Sequence, residues 1–497
     1  MDFAEYRTYD AMGLAELIRD GEVSALEAFY SALEGVERLD PELNAFVEVW
    51  ADRTLQRLRT EQLSGPLAGV PFALKDMVEW EGAKMTLGSK LLDGYVAEAN
   101  HPLVDRYLDA GLTFVGRTNM SELGLLPLTE PDAWGTTRNP WNPERSPGGS
   151  SGGSAVAVAA GIVPVAHAAD GGGSIRIPAS CCGLFGLKPS RGRTVESITE
   201  VPDGFVAHHC VSKSVRDSAL LLDLSGGESP GSRWRHPGDQ GAFLDAVDEP
   251  PDELRIGVMF GDFRGRPLHD DCQEAVENTA SLCRELGHQV EEARPDFDGQ
   301  DFLHAFSDLW SVGASFFFRM VQKELDQLEM LPGPLVKVLQ KRGVLQMISR
   351  IANRVGFPVV EPFTMRLAEY AEQMAPADLW MSWHVLNEAT ASMSRFFEEY
   401  DLLLTSTLAE PPWPHAHYDL SGETIPQIEE RLFSYAGLTP LANSSGLPAM
   451  SVPLHVADGL PIGTQFVGPH AAERLLIRLA GQLERAQPWS DAYPKIT

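Results

Sequence analysis

Two glycine-rich turns that each carry serine stand out between Ser146 and Arg193: Gly148-Gly149-Ser150-Ser151-Gly152 and, with 24 residues separating Ser150 from Ser174, Gly171-Gly172-Gly173-Ser174. Between them the small residues Ser154 to Ala160 read as a helix and Val163 to His167 as a short strand. A turn–helix–strand–turn sequence can bring both loops to one edge of a sheet. Glycine lets the backbone come close to a ligand and take positive φ, so consecutive N–H groups ahead of Ser174 can be aimed at a single point. That is the construction of an oxyanion hole.

A serine hydroxyl attacks a carbonyl only when something takes its proton. Histidine is the default base, and Gly148 to Gly152 formally matches G-x-S-x-G, so a Ser-His-Asp hydrolase has to be weighed. That motif needs a β-branched strand running into a sharp elbow, whereas Pro147 and small polar residues precede this serine. Phosphate binding is disfavoured too, because neither GxxxxGK[ST] nor GxGxxG occurs at these turns. The other available base is a lysine whose charge is disfavoured by burial. Lys75 follows the apolar run of GVPFALKD, which places it at the end of a buried strand, although an ordinary surface lysine reads the same way in isolation.

Taken together, GVPFALKD, SPGGSSGGSA and DGGGSIRIPASCCGLFGLKP resemble the amidase signature family, serine hydrolases with a Ser-cisSer-Lys triad. The separations of Lys75 from Ser150 and of Ser150 from Ser174 are similar to the family pattern, and the likeness extends through GRTNMSELG, WGTTRNPWN and NSSGLPAMSVPLHVADGLPIGTQFVG. The bacterial branch that includes nylon-oligomer and other xenobiotic amidases is the most similar in texture. The resemblance implies that Ser174 is the nucleophile, Ser150 a bridging serine after a cis peptide from Gly149, and Lys75 the ultimate base. It also implies an oxyanion hole of Gly171, Gly172, Gly173 and the Ser174 N–H, with Ser151, Asp170 and Arg176 supporting the loops. An ordinary structural ion pair between Asp170 and Arg176 is compatible with that role. No metal or organic cofactor is implied.

The elements that must position these groups form an α/β pattern. Ala11 to Arg59 carries helical spacing of apolar residues (Leu14, Leu17, Ile18; Ala28, Phe29, Ala32, Leu33), with Ser24 as N-cap. From Gly65 onward, short β-branched runs such as LTFVGRTN alternate with helical segments, predicting a central mixed sheet with helices on both faces. LRIGVMF resumes a buried strand and Asp270 to Gly287 an amphipathic helix. The whole chain, 1–497, reads as one amidase signature domain: N-terminal helices over 1–62, a signature core over 65–193, and a helical cap inserted at about 298–398. Within that cap, Pro332 to Val360 holds Lys337, Lys341, Arg342, Arg350 and Arg354 and no acid. It reads as a solvated helix face, with contact to a membrane surface or an entrance as the alternative.

Seventy acidic residues against 40 Lys and Arg give a net charge of −30, which argues against a nucleic-acid binder. The excess is that of a well-solvated surface, with adaptation to salt the competing explanation. The N-terminal stretch has no apolar h-region and no segment reaches the length of a membrane span. Five scattered cysteines (Cys181, Cys182, Cys210, Cys272, Cys283) fit a reducing, cytoplasmic setting and not a structural zinc.

Substrate identity rests on the cap. Gly124 in GRTNMSELG matches a family position beside the acyl pocket, and Trp310 with Phe316 to Phe318 suggests apolar walls, although most such rings are core. The expectation is an uncharged aryl or alkyl amide, with a carbamate or ester as the near alternative and a homodimer left open. A glutamine-dependent amidotransferase subunit would need a carboxylate to hold the amino acid's ammonium; Phe433 to Leu447 contains none, which counts against it and leaves other positions to serve. A non-catalytic scaffold on the same fold is opposed by the joint retention of Lys75, Ser150 and Ser174.

Overall fold

The computed structural model describes residues 1–197, 204–228, 231–324, 347, 359–416, 423–489 and 494. Eleven strands form one mixed sheet: β1 (Phe46–Val49), β2 (Pro71–Lys75), β3 (Thr113–Thr118), β4 (Val165–Asp170), β5 (Phe185–Lys188), β6 (Ala207–Ser212), β7 (Arg255–Val258), β8 (Gln289–Glu292), β9 (Leu402–Ser406), β10 (Ala449–Ala457) and β11 (Leu460–Val467), in the order β1-β3-β2-β4-β6-β5-β10-β11-β9-β7-β8. β2 runs parallel to both β3 and β4. The strands from β4 through β6, β5, β10 and β11 to β9 pair antiparallel, and β7 is again parallel to its neighbours β8 and β9.

Every residue of β2, β3, β4 and β6 is buried, as expected of strands covered on both faces. One hydrophobic cluster joins the N-terminal helices to this half of the sheet through Phe29, Phe72, Phe114 and Val156. A second joins β5, β7 and β9–β11 to helices Asp270–Glu285 and Glu473–Ala486 through Ile256, Val276, Phe466 and Ile477. The expected N-cap at Ser24 is a capping box, with the Ser24 hydroxyl and the Glu27 side chain each bound to the other residue's backbone N–H.

The predicted small-residue helix spans Gly152–Ala159 and is buried on every side, so Ala and Val all round make it a central element and not a surface one. The strand after it starts two residues later than the sequence suggests and runs on to Asp170. Because β2 and β4 are adjacent and parallel, Lys75 and Asp170 leave the sheet at the same end. The 298–398 span contains the described helices Gly299–Glu324, Pro362–Gln373 and Pro376–Phe396. The basic stretch from Pro332 falls outside the described residues except for Met347, Val359 and Val360. Among the described residues no helix is long and apolar enough to cross a membrane.

Candidate active site

Lys75 is 1% exposed and its Nζ donates to Ser150 Oγ at 2.7 Å, with the Ala169 carbonyl 3.4 Å away. Burial pushes the Lys75 ammonium down to about 7, while the negative charge of Asp170 acts in the opposite direction. A lysine that is substantially neutral near pH 7 can take a proton from the hydroxyl beside it. Ser150 itself is buried, follows a cis Gly149–Ser150 peptide, and stands just before the Gly152–Ala159 helix. Ser151 ties this turn to β4: its Oγ donates to the Ala169 carbonyl at 3.2 Å.

Ser174 follows β4 on the second turn and is 6% exposed. It lines a pocket of about 530 Å3, counting space open to solvent, and its hydroxyl has no hydrogen-bond partner among the described residues. The turn beneath it is organised by Asp170, whose carboxylate accepts from the Gly173 N–H at 2.6 Å and the Ile175 N–H at 3.2 Å. Arg176 grips the same carboxylate bidentately, through Nε and Nη2 at 2.9 Å each. Its remaining donors reach the Thr439 carbonyl at 3.0 Å, Asn443 Oδ1 at 2.6 Å and Gln465. Both partners are fully buried, and the guanidinium outweighs burial to hold the Asp170 carboxyl far below the usual carboxylate range.

This arrangement differs from the sequence expectation at Gly173. Its φ of +131° requires glycine, yet its N–H is spent on Asp170 and anchors the loop. The N–H groups of Gly171, Gly172 and Ser174 are the ones without a partner among the described residues. Gly172 is needed for a close approach: a Cβ there would lie 2.6 Å from Trp310 Cζ3. Trp310 thus packs directly on the second turn, and both residues line the pocket. Gly124 sits against the other turn, where a Cβ would lie 3.3 Å from Ser150 Oγ.

The aromatic run divides. Trp310 faces the pocket, whereas Phe302, Phe306 and Phe318 are fully buried in the core. The apolar walls come instead from Leu125, Pro127, Phe363, Leu367, Leu432 and Phe433. Two polar lining residues went unread in the sequence, Ser307 and Glu429. Glu429 lies four positions before Phe433, and its helical spacing with Leu432, Phe433 and Ala436 is the signal that marks it as pocket-facing. Among the described residues no cluster of His, Cys, Asp or Glu is arranged to hold a metal ion.

A buried lysine bound to a serine, a second serine in a pocket wall, and free N–H groups on a glycine turn form a constellation suited to acyl transfer, and the chain belongs to the amidase family, whose model matches residues 25–477. It is a hydrolase of amide bonds. It is 34% identical to the 6-aminohexanoate-cyclic-dimer hydrolase of Paenarthrobacter ureafaciens over 510 aligned positions, covering 98% of this chain and 96% of the relative. A solved structure of a 6-aminohexanoate cyclic dimer hydrolase superposes with a TM-score of 0.86 at 33% identity, over 98% of this chain and 99% of the other. A bacterial aryl acylamidase of the amidase signature family superposes with a TM-score of 0.80 at 25% identity, over 97% of both chains.

Proposed function

We propose that this amidase cleaves amides with an apolar alkyl or aryl body through an acyl-enzyme on Ser174. The observation that carries the reading is the buried 2.7 Å bond from Lys75 Nζ to Ser150 Oγ, on a turn stitched to the strand that leads into Ser174. In the first step Ser174 Oγ bonds to the acyl carbon while its proton passes to Ser150 and the Ser150 proton to neutral Lys75. The N–H groups of Gly171, Gly172 and Ser174 receive the developing oxyanion, with Gly173 holding the loop through Asp170. The C–N bond then breaks as the proton returns to the leaving nitrogen. Water repeats the path and releases the acid.

Because the base must be unprotonated, the sign of the pH dependence is fixed. With Lys75 titrating at about 7, kcat/KM for a neutral substrate should fall about tenfold per pH unit below that value and level off above it. A flat profile between roughly pH 5 and pH 9 would contradict a lysine base.

A lining without Lys or Arg among the described residues offers nothing to the α-carboxylate of glutamine, which supports a hydrolase of non-amino-acid amides over an amidotransferase subunit. Five free, buried cysteines are compatible with a cytoplasmic setting. Amine release measured on an aryl anilide, an aryl carbamate, a linear nylon-type oligomer and glutamine tests the substrate class. Turnover of the anilide or the oligomer with none of glutamine is expected. Turnover of glutamine alone would overturn the reading, and faster cleavage of the carbamate would extend it to urethanes.

A further inference from the structure

Glu429 is the sole ionisable side chain among the described residues lining the pocket, and the acyl-transfer chemistry makes no use of it. It projects from helix Ile425–Ala436 on the same face as Leu432, Phe433 and Ala436, and is 6% exposed. One oxygen accepts from Ser307 Oγ, and no Lys or Arg pairs with the carboxylate among the described residues. Of its charged neighbours, Asp308 is already engaged by Tyr370 at 3.1 Å and Ser382 at 2.6 Å, and His304 is the one nearby basic group. Burial raises the Glu429 carboxyl, as it does for a carboxylate dehydrated without a counter-charge.

A polar group set into an otherwise apolar ligand pocket fixes the orientation of what binds there. We infer that Glu429 receives a cationic amino group carried by the substrate away from its scissile bond, which makes ω-amino amides and oligoamides with a free amino end the preferred class. This rests on the amidase reading above and narrows it, replacing the uncharged chain expected from the sequence with one that is apolar in the middle and basic at the end. Among the described residues the lining holds no cation that would balance a terminal carboxylate, which fits the same class.

Calorimetric titration of the Ser174→Ala enzyme, which should leave the amide intact, tests this with a ladder from 4-aminobutanamide to 8-aminooctanamide, each beside its methyl-ended isostere (for example 6-aminohexanamide beside heptanamide). At least one amino amide should bind roughly 10- to 100-fold more tightly than its isostere, as a charge-assisted pair would give. Adding Glu429→Gln keeps an acceptor for Ser307 and should abolish that preference while leaving binding of the methyl-ended amide unchanged. Equal affinity across each pair, absence of binding by every amino amide, or a preference that survives Glu429→Gln would overturn the assignment. Hydrolysis of a neutral anilide by the unmodified enzyme reports on the acyl-enzyme separately. Its failure beside an intact amino preference would reject the mechanism and not the carboxylate's role.

Discussion

Lys75→Met is expected to lower kcat/KM by about 10^4-fold, the upper range for loss of a positioned general base. Methionine keeps most of the stem and fills the same buried space at the end of β2, but has no group to take the proton of Ser150. The same change should leave the denaturation midpoint unchanged or raise it. A lysine that is 1% exposed and titrates at about 7 is held in surroundings that disfavour its charge, and removing it relieves that cost. Activity and stability therefore move apart, which a merely structural lysine would not produce. Steady-state kinetics on an anilide together with thermal melting decide the matter, and a loss smaller than about tenfold would remove Lys75 from the proton path.

The second large effect is on the loop that carries Ser174. Arg176→Ala should destabilise the protein by about 3–5 kcal/mol, because it strips the buried Asp170 carboxylate of its ion-pair partner. The damage extends beyond that pair. Thr439, Asn443 and Gln465, all from the C-terminal third of the chain, lose the guanidinium donor they share, although Asn443 keeps its own bonds to Asp170 at the end of β4. Asp170 is also the acceptor for the Gly173 N–H, so a carboxylate no longer clamped by Arg176 would hold the turn presenting the three free N–H groups less firmly. Urea denaturation should show the loss, and a residual active fraction should have a depressed kcat. A midpoint within about 1 kcal/mol of the parent would mean that the ion pair does not hold the loop.

What could be read from the sequence was local. The apolar run before Lys75 is enough to predict a buried strand end, and small residues between two glycine turns are enough to predict a helix and strand that return to one sheet edge. The serine–lysine pairing needed the resemblance, because Lys75 and Ser150 are 75 residues apart and no periodicity links them. Asp170 is six residues from Arg176, but its other partners, Thr439, Asn443 and Gln465, lie 263 to 289 residues away and could not be found by spacing at all. Gly173 shows a different limit: composition marks a glycine turn as rich in N–H groups, but only the packing of Asp170 decides which of them is already used. Glu429 lies one helical turn before Phe433 to Leu447, on the face that lines the pocket, so the composition of that stretch alone does not reveal it. The order of the sheet, with β5 and β6 lying between β4 and β10, likewise depends on long-range pairing that alternation along single strands does not encode.

The measurement that bears most directly on the central claim is intact-protein mass spectrometry of enzyme quenched within the first turnovers of an activated anilide, followed by peptide mapping. The account predicts an acyl adduct on the peptide containing Ser174, absent from Ser174→Ala and strongly slowed in Lys75→Met. Turnover of the anilide with no adduct at any quench time, or an adduct that forms undiminished in Ser174→Ala, would contradict it.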